Sequence, residues 1–482
     1  MPAAPTSFVR DAMLPPQTPP ASERGVVKWL REKLFSGPLN SILTVVAITV
    51  VAYIILTALP WWLNGVWNAG SLGECRAIIA ASAGEGASGA CWAVIRERWH
   101  QFLFGFYPRD IWWRPAVTFG LMFVALAPVL YSGNRRYCAT LVGAVSVLLV
   151  LSMVGLDGHL SHIAAVAVLM AGLTALAWTA PLRLVWVTLL YPPVAFFLLW
   201  GGSVWGPVAT MLGFGVLILV YRLVHPRLGV VMGTAAGFVA ACVWWLGVQT
   251  VVSTALRSVM PWGLEAIDSD QFGGFLLAFV IGVTAISCSL PIGILLALGR
   301  RSDMFLVKTL SVGFIEFIRG VPLITMLFTA SLLLQYFLPP QTNFDLILRV
   351  IILVTLFASA YIAEVIRGGL AALPRGQYEA ADALGLDYWQ AQRLIVMPQA
   401  LKISIPGIVS SFIGLFKDTT LVAFVGLLDP LKGVTAIVRA DINWKGIYWE
   451  PYIFVGAIFF AVCFSMSRYS MYLERKLKTD HR

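Results

Sequence analysis

Long, uninterrupted apolar runs constrain this chain more than any other feature. Runs of about 20 residues, the length that crosses a hydrocarbon core, follow one another between residues 40 and 473. Such spans must be helices, because a lone strand would leave its backbone groups unpaired in lipid. The runs do not alternate between polar and apolar residues, as a membrane barrel would require. The sequence therefore predicts an all-α, polytopic membrane helix bundle.

Composition supports the same conclusion and narrows the partners. Hydrophobic residues make up 59% of the 482 residues and charged residues only 12%, whereas soluble domains carry about 25% charged residues. The formal charge of +10 does not indicate nucleic-acid binding, because the positive residues lie in short loops, where they set topology. The six cysteines show no metal-binding spacing. We expect no nucleic-acid partner and no metal site.

About twelve transmembrane helices are predicted, seven in an N-terminal extension (residues 39–260) and five in a C-terminal core (residues 270–475). They lie near 40–62, 115–131, 137–156, 161–180, 184–201, 205–223, 228–251, 272–299, 304–338, 345–371, 403–428 and 450–473. Nearly every short loop predicted inside is basic, which places both termini in the cytoplasm. Residues 1–38 are rich in proline and are predicted to be a disordered cytoplasmic tail.

The longest connection, about residues 63–114, is predicted to be periplasmic and to contain an amphipathic helix. The apolar face of that helix carries Trp92, Ile95, Trp99, Phe102 and Phe106. This face is either a docking surface for an external binding protein or a belt that packs on the bundle. Cys75 and Cys91 share the loop, and an oxidising compartment could join them in a disulfide. Two free thiols are the alternative.

A polar, helix-forming segment interrupts the core spans between residues 377 and 399. It reads EAADALGLDYWQAQRLIVMP from Glu379 to Pro398. Glu379 opens a helical run, where a carboxylate favours the positive end of the helix. Gly385 removes a side chain, which lets a bend or another surface come close. Because long connections in a compact bundle tend to be functional, we expect the apolar side chains of this segment to be covered by another protein.

This segment resembles the EAA loop of importer permeases in the ATP-binding cassette (ABC) family. The matching residues are Glu379, Ala380, Ala381, Gly385 and Pro398. In that family the loop forms a short cytoplasmic helix that docks on the ATPase subunit, which implies an ATPase-coupling role for these residues. The chain has no G-x-x-x-x-G-K-[ST] loop. We therefore expect a partner subunit to bind ATP, and we expect no cofactor and no catalytic residue in this chain.

The resemblance extends to the amino-acid importer permeases of the polar amino acid class, over most of residues 272–435. The matching runs are GRRS (299–302), FIEFIRGVPLITMLF (314–328), ASAYIAEVIRGGLAALPRGQYEAADALGL (358–386) and FKDTTLVAFVGLLDPL (416–431). The N-terminal extension is similar to that of the larger permease subunits of general L-amino-acid uptake systems. The family implies a five-helix type I importer core in a bacterial inner membrane. It also implies a related permease as heterodimer partner, two ATPase copies and a periplasmic amino-acid-binding protein.

Ionisable residues inside the core spans are costly in lipid and usually face a partner or a water-filled path. Glu316 and Arg319, like Glu364 and Arg367, are i,i+3 neighbours that could neutralise each other. This predicts two structural ion pairs, or a gate, near the cytoplasmic helix ends. The alternative places Tyr361 and Glu364 on the substrate path, where Glu364 could meet the ammonium group of an amino acid.

A second polar group, Lys417, Asp418, Thr419 and Thr420, interrupts the span predicted near 403–428. Its residues would lie at about mid-membrane depth, where transporters place their sites. We expect them to line the substrate path; interhelical hydrogen bonds that hold the bundle together are the alternative. Pro322 could break the span near 304–338, and freed backbone groups are tolerated where they line a cavity.

The resemblance implies that the chain is the transmembrane permease subunit of an ABC importer that takes up L-amino acids, and we expect it to work by alternating access. An ion- or proton-coupled secondary amino-acid transporter is the alternative. It would explain twelve spans but not a polar loop with this spacing. A membrane scaffold is a further alternative, and it would leave Asp418 and Glu364 unexplained.

Overall fold

A computed structural model of the chain describes residues 25–131, 134–155, 159–333, 336 and 344–477. Its α-helices are α1 (Gly25–Trp29), α2 (Pro38–Leu63), α3 (Leu72–Ala83), α4 (Ala93–Phe104), α5 (Trp113–Leu130), α6 (Arg135–Gly155), α7 (Leu160–Thr179), α8 (Val185–Trp200), α9 (Trp205–Val243), α10 (Gln249–Val259), α11 (Gly274–Arg300), α12 (Phe305–Gly320), α13 (Leu323–Phe328), α14 (Leu346–Ala371), α15 (Gly376–Ala383), α16 (Tyr388–Ala391), α17 (Met397–Asp418), α18 (Pro430–Ala440) and α19 (Trp449–Leu477). Two short strands, β1 (Gly202–Ser203) and β2 (Gly263–Leu264), pair antiparallel. The predicted all-α class is confirmed.

Shorter helical turns extend or connect these helices. The π-helical turns are Leu30–Leu34, Trp244–Val248, Thr329–Leu333 and Gln392–Val396, and the 3₁₀ turns are Arg109–Ile111, Pro181–Leu184, Ser269–Gln271, Thr419–Val425 and Ile442–Trp444. Within the described residues, ten helices are long and apolar enough to cross a membrane, or eleven when the bent pair formed by α12 and the segment Leu323–Leu333 counts as one span.

One of these ten helical segments, Trp205–Val259, contains two of the predicted spans. Gly229 adopts a φ of 82°, and the chain folds back at this point. Trp245 Nε1 consequently donates to the carbonyl oxygen of Thr210 at 3.1 Å, and a Cβ at Gly237 would lie 2.9 Å from the carbonyl oxygen of Leu217. The segment is a helical hairpin and counts as two spans. Together with the bent pair counted as one span, this raises the eleven described segments to twelve, in agreement with the prediction of about twelve transmembrane helices.

The chain divides into two compact units, and the first comprises residues 1–96. Residues 1–24 of the predicted tail lie outside the described residues. Residues 25–34 are helical, in contrast to the predicted disorder, because this part of the tail is apolar and basic and contains no proline. Trp92 packs against Trp61, Trp62 and Trp67 with ring centroids 4.7 to 5.8 Å apart.

Cys75 and Cys91 are joined by a disulfide in this first unit, with Cα atoms 6.0 Å apart. The bridge closes a loop of 16 residues, so replacing both cysteines by serine is expected to destabilise the loop by about 3 kcal/mol. The measurement is the rate of trypsin cleavage at Arg76, which should increase in the double variant. Cys242→Ser, which removes a free thiol, is the control. Equal cleavage rates in all three proteins would contradict the prediction.

The second unit, residues 97–482, contains the core. Glycines allow its helices to approach closely: a Cβ at Gly293 of α11 would lie 2.6 Å from Cγ2 of Ile362 in α14. A Cβ at Gly369 of α14 would lie 2.6 Å from the carbonyl oxygen of Ala400 in α17. Small residues at such contacts are typical of membrane helix pairs. Helices α11, α14 and α17 therefore pack tightly and fix both ends of the polar loop that joins α14 to α17.

The span predicted near 304–338 is broken. Helix α12 ends at Gly320, and α13 begins after Pro322 with its axis turned by 102°. Proline has no N–H to continue the helical hydrogen bonding. The prediction of a single continuous span is therefore wrong here, and the suggested break at Pro322 is confirmed.

Candidate functional site

The polar loop between α14 and α17 is an ordered pair of short helices. Helix α15 ends in a Schellman motif: Gly385 N donates to Asp382 O at 2.9 Å, and Leu386 N donates to Ala381 O at 3.2 Å. Gly385 has a φ of +69°, and a Cβ there would meet nothing within 4 Å. The glycine is therefore required by backbone conformation, while the space around it is open.

The second short helix, α16, begins with a capping box. Asp387 accepts a hydrogen bond from Gln390 N at 2.8 Å, and the side chain of Gln390 accepts one from Asp387 N at 3.1 Å. These reciprocal bonds satisfy orphan donors of a helix start. Two local motifs, a helix stop at Gly385 and a helix start at Asp387, thus give the loop a defined shape.

The loop has an exposed apolar face and a buried inner side. Leu384 is 72% exposed and Trp389 is 65% exposed, and Tyr388 and Leu394 are exposed beside them. We call these four residues the loop face. On the opposite side, Ala381 is fully buried. Large apolar side chains left open at one end of a bundle mark an interaction site.

Two polar contacts attach the loop to the core. Arg301, which follows α11, donates to the hydroxyl of Tyr378 at 2.8 Å and lies over its ring. Gln399 Nε2 donates to Gln377 Oε1 at 2.8 Å and joins the two ends of the loop. Arg301 and Tyr378 were not predicted as site residues, although GRRS and RGQY, which contain them, were part of the matching runs.

The residues predicted to couple to an ATPase occupy distinct positions on the loop. Glu379 lies in the first turn of α15 and is exposed, as are Ala380 and Pro398. Pro398 lies in the first turn of α17, where a missing N–H costs little. The structure thus places Glu379, Ala380, Gly385 and Pro398 at the surface and Ala381 in the packed inner side.

Five charged side chains form one network beside the loop. Glu364 lies within 2.6 Å of Arg367, 3.3 Å of Arg300 and 3.6 Å of Arg319. Glu316 pairs with Arg300 at 2.8 Å. The network therefore joins α11, α12 and α14 through one carboxylate.

The predicted pairing is correct for Glu364 and Arg367 and wrong for Glu316 and Arg319. Glu316 pairs with Arg300 instead, and Arg319 turns to Glu364. The physical reason is tertiary: α12 lies beside the end of α11, so Arg300 reaches both carboxylates. Arg300 was not predicted as a member of either pair, although it lies in the matching run GRRS (299–302).

The polar group at residues 417–420 lies at a helix end. Helix α17 ends at Asp418 and continues without a break as a 3₁₀ helix from Thr419 to Val425, so the span predicted near 403–428 lies almost entirely within the apolar helical segment Tyr388–Val425. Thr419 is buried and donates to Phe416 O at 2.7 Å. Thr420 donates to Lys417 O at 2.9 Å. Both hydroxyls thus satisfy their donor hydrogens within their own turn.

The two groups predicted to line the substrate path do not form one site. Tyr361 stacks on Arg319, 5.9 Å from its guanidinium carbon, and belongs to the network around Glu364. Ser404 of α17 donates to Val365 O at 3.3 Å. Glu364, the neighbour of Val365, therefore lies level with Ser404 along α17. Asp418 lies about 21 Å further along α17, at 1.5 Å per residue. The structure therefore separates a polar group near the loop from another near the opposite end of the core.

Together these features define a class of protein. The described residues form a bundle of many membrane spans, with an exposed apolar face on a short helix pair and a charge network beside it. No group of three or more His, Cys, Asp or Glu residues that could hold a metal ion occurs in the described part of the chain.

Comparisons with known proteins identify the family. Residues 289–479 match the model of the binding-protein-dependent transport system inner membrane component. The chain is 62% identical over 477 residues to the glutamate/glutamine/aspartate/asparagine transport system permease protein BztC of Rhodobacter capsulatus. This alignment covers 99% of each chain. It is 34% identical to the inner membrane amino-acid ABC transporter permease protein YhdY of Escherichia coli, over 96% of each. A solved amino acid ABC transporter is 29% identical over 42% of this chain and 91% of that chain, with a TM-score of 0.37.

The chain belongs to the family of amino-acid ABC transporter permeases. It is a multi-pass inner-membrane protein and a transport subunit, and permeases of this kind work with an ATPase and a binding protein. The ion- or proton-coupled secondary transporter is not favoured, because the family model and the full-length relatives are those of binding-protein-dependent permeases.

Proposed function

We propose that this chain imports L-amino acids by coupling a separate ATPase to the core through the loop face. The proposal rests on the loop face, in which the apolar side chains of Leu384, Tyr388, Trp389 and Leu394 are exposed on a helix pair with capped ends. A flexible loop would deform when the ATPase subunit moves. A helix pair with capped ends keeps its shape and moves with the ATPase subunit. The contact between Arg301 and Tyr378 connects the loop to the end of α11, and the buried Ala381 connects it to the packed core.

This arrangement supports a mechanism of alternating access. ATP-driven closure of the motor subunits would move the helix pair and, with it, the ends of α11, α12 and α14 that meet at Glu364. The network holds these ends together in one state, and its rearrangement allows the core to open inward. In this proposal Glu364 and the arginines that it holds, Arg300, Arg319 and Arg367, form the gate. Glu316 contributes an outer ion pair with Arg300.

The substrate class is proposed from the relatives and the polar groups. The full-length relative from Rhodobacter capsulatus is named for glutamate, glutamine, aspartate and asparagine, so we propose small polar L-amino acids. Lys417 and Asp418, at the end of α17, offer one charge of each sign. They would meet the carboxylate and the ammonium of an amino acid arriving from outside, while Thr419 and Thr420 shape the same turn.

The finer assembly is also a proposal. A related permease would pair with this chain as a heterodimer, a periplasmic amino-acid-binding protein would deliver the substrate, and both termini would be cytoplasmic. ATP would be bound by the ATPase subunits, and the permease would hold no cofactor and catalyse no reaction itself.

Co-purification tests the docking role of the loop face. Trp389→Glu places a carboxylate in the middle of this apolar face, and we expect the ATPase to be lost from the purified assembly. Trp449→Glu is the matched control, because Trp449 is 74% exposed and lies beyond the opposite end of α17. An ATPase that stays with the Trp389→Glu protein as fully as with the control would contradict the proposal.

A further inference from the structure

Residues 98–107 of the N-terminal extension contact the end of the core that lies opposite the loop face. Helix α11 reaches the loop at its last residues, where Arg301 contacts Tyr378. Its first residue, Gly274, is about 40 Å away along the helix. The segment that links α17 to α19 begins at this distant end as well, because α17 runs away from the loop to Asp418.

Glycines allow three backbone segments to meet at this distant end. Gly105 bridges to Phe272, and Gly273 bridges to Leu428; Gly274 N also donates to Leu428 O at 2.8 Å. A Cβ at Gly105 would lie 2.6 Å from Gly273 N, and a Cβ at Gly273 would lie 2.9 Å from the Cα of Gly105. Backbone atoms cannot swing aside as side chains can. The extension, the start of α11 and the segment leading into α18 are therefore in direct backbone contact.

An ion pair extends this junction to an outer turn of the core. Arg98 of α4 pairs with Asp441, which directly follows α18. The same carboxylate accepts a hydrogen bond from Asn443 N at 3.0 Å and so caps the 3₁₀ turn Ile442–Trp444. Trp444 is buried and anchors the turn, whereas Ile442 is 91% exposed at its tip. Arg98 thus holds Asp441, and Asp441 in turn orients the turn that carries the exposed Ile442.

The surface around this tip carries positive charge. Arg439 and Lys445 are exposed on either side of the turn, and Arg98 neutralises the intervening Asp441. Burial, with Arg109 and Arg98 nearby, lowers the pKa of His100 to about 4, so its imidazole is neutral at physiological pH. An apolar tip within a cationic rim fits a partner that presents an acidic rim around an apolar spot.

We propose that Arg98 is a positioning residue through which the N-terminal extension holds the turn 441–446 in the conformation that receives the binding protein. This inference rests on the proposed function, since it assumes delivery by an amino-acid-binding protein with an acidic docking surface. It assigns a role to residues 98–107, which belong to the N-terminal extension and not to the five-helix core. Without Arg98, the Asp441 carboxylate keeps only its backbone amide donor, and the turn becomes mobile.

The test uses the complete transporter with Arg98→Gln, Asp441→Asn and the double variant. Arg109→Gln is the control: this residue lies in the same region and, within the described residues, pairs with no carboxylate. We expect amide hydrogens of residues 441–447 to exchange faster in Arg98→Gln than in the control. The concentration of amino-acid-loaded binding protein that gives half-maximal ATPase stimulation should rise about fivefold, with unstimulated and maximal rates unchanged. Because the two residues act as one unit, the double variant should be no worse than either single variant.

The outcomes separate this inference from the function on which it rests. A half-maximal concentration that is unchanged in Arg98→Gln, or that changes equally in Arg109→Gln, overturns the positioning role. A lower maximal rate with an unchanged half-maximal concentration also overturns it, because that result indicates a merely structural contact. If no amino-acid-loaded binding protein stimulates even the unaltered transporter, the proposed function fails instead.

Discussion

Replacing Gly385 by valine is expected to abolish uptake while leaving the protein folded in the membrane. Gly385 has a φ of +69° at the end of α15, and a β-branched residue in this left-handed conformation costs about 1–2 kcal/mol. The Schellman motif that ends α15 would open, and the apolar face carried by Leu384 and Trp389 would lose its shape. The measurement is amino-acid uptake per molecule of full-length permease in the membrane.

Gly385→Asn is the matched control for this prediction. Asparagine tolerates the left-handed conformation, and a Cβ at this position meets nothing within 4 Å. Uptake by Gly385→Asn should therefore stay close to that of the unaltered chain. Normal uptake by Gly385→Val would contradict the assigned role of the helix stop. Equal loss in both variants would contradict it too, since the close approach of another surface would then be the constraint.

Replacing Glu364 by glutamine is expected to lower uptake by about tenfold or more. The substitution leaves Arg300, Arg319 and Arg367 close together without the carboxylate that they share. Loss of one charge-assisted hydrogen bond costs about 1.5–3 kcal/mol, and repulsion among the guanidinium groups adds to it. The ends of α11, α12 and α14 should separate, so the apparent Tm of the purified protein should fall as well.

The control for Glu364 is Glu316→Gln. Glu316 contacts one arginine and its side chain is 52% exposed, compared with 24% for Glu364. Exposed pairs contribute at most about 1 kcal/mol, so this variant should keep most of its uptake and its Tm. If the two variants behave alike, Glu364 is not the centre of the network.

The loop could be located from the sequence because its determinants are local. Glu379 at a helix start and Gly385 at a helix stop act on neighbouring backbone groups, and such effects leave a pattern at fixed spacing. The spans could be found for a similar reason, since lipid demands a continuous apolar run. The fold class followed from these two kinds of signal.

Tertiary contacts account for the parts that could not be predicted. Arg300 reaches Glu316 and Glu364 only because helices that are distant in sequence lie side by side, and i,i+3 spacing favoured the wrong partner for Glu316. The close approach of Gly105 and Gly273 leaves no periodic pattern in the sequence. The change from α-helix to 3₁₀ helix after Asp418 was not predicted, because the residues that follow Thr420 are as apolar as the rest of the span.

We propose that ATP hydrolysis by a partner subunit drives this permease. The most direct measurement is uptake of labelled glutamate into proteoliposomes that contain the permease assembly and its binding protein, with ATP or an ion gradient as the energy source. We predict uptake that requires ATP and the binding protein and that disappears in the Trp389→Glu assembly. Uptake driven by a proton or sodium gradient alone, without any ATPase present, would contradict this account.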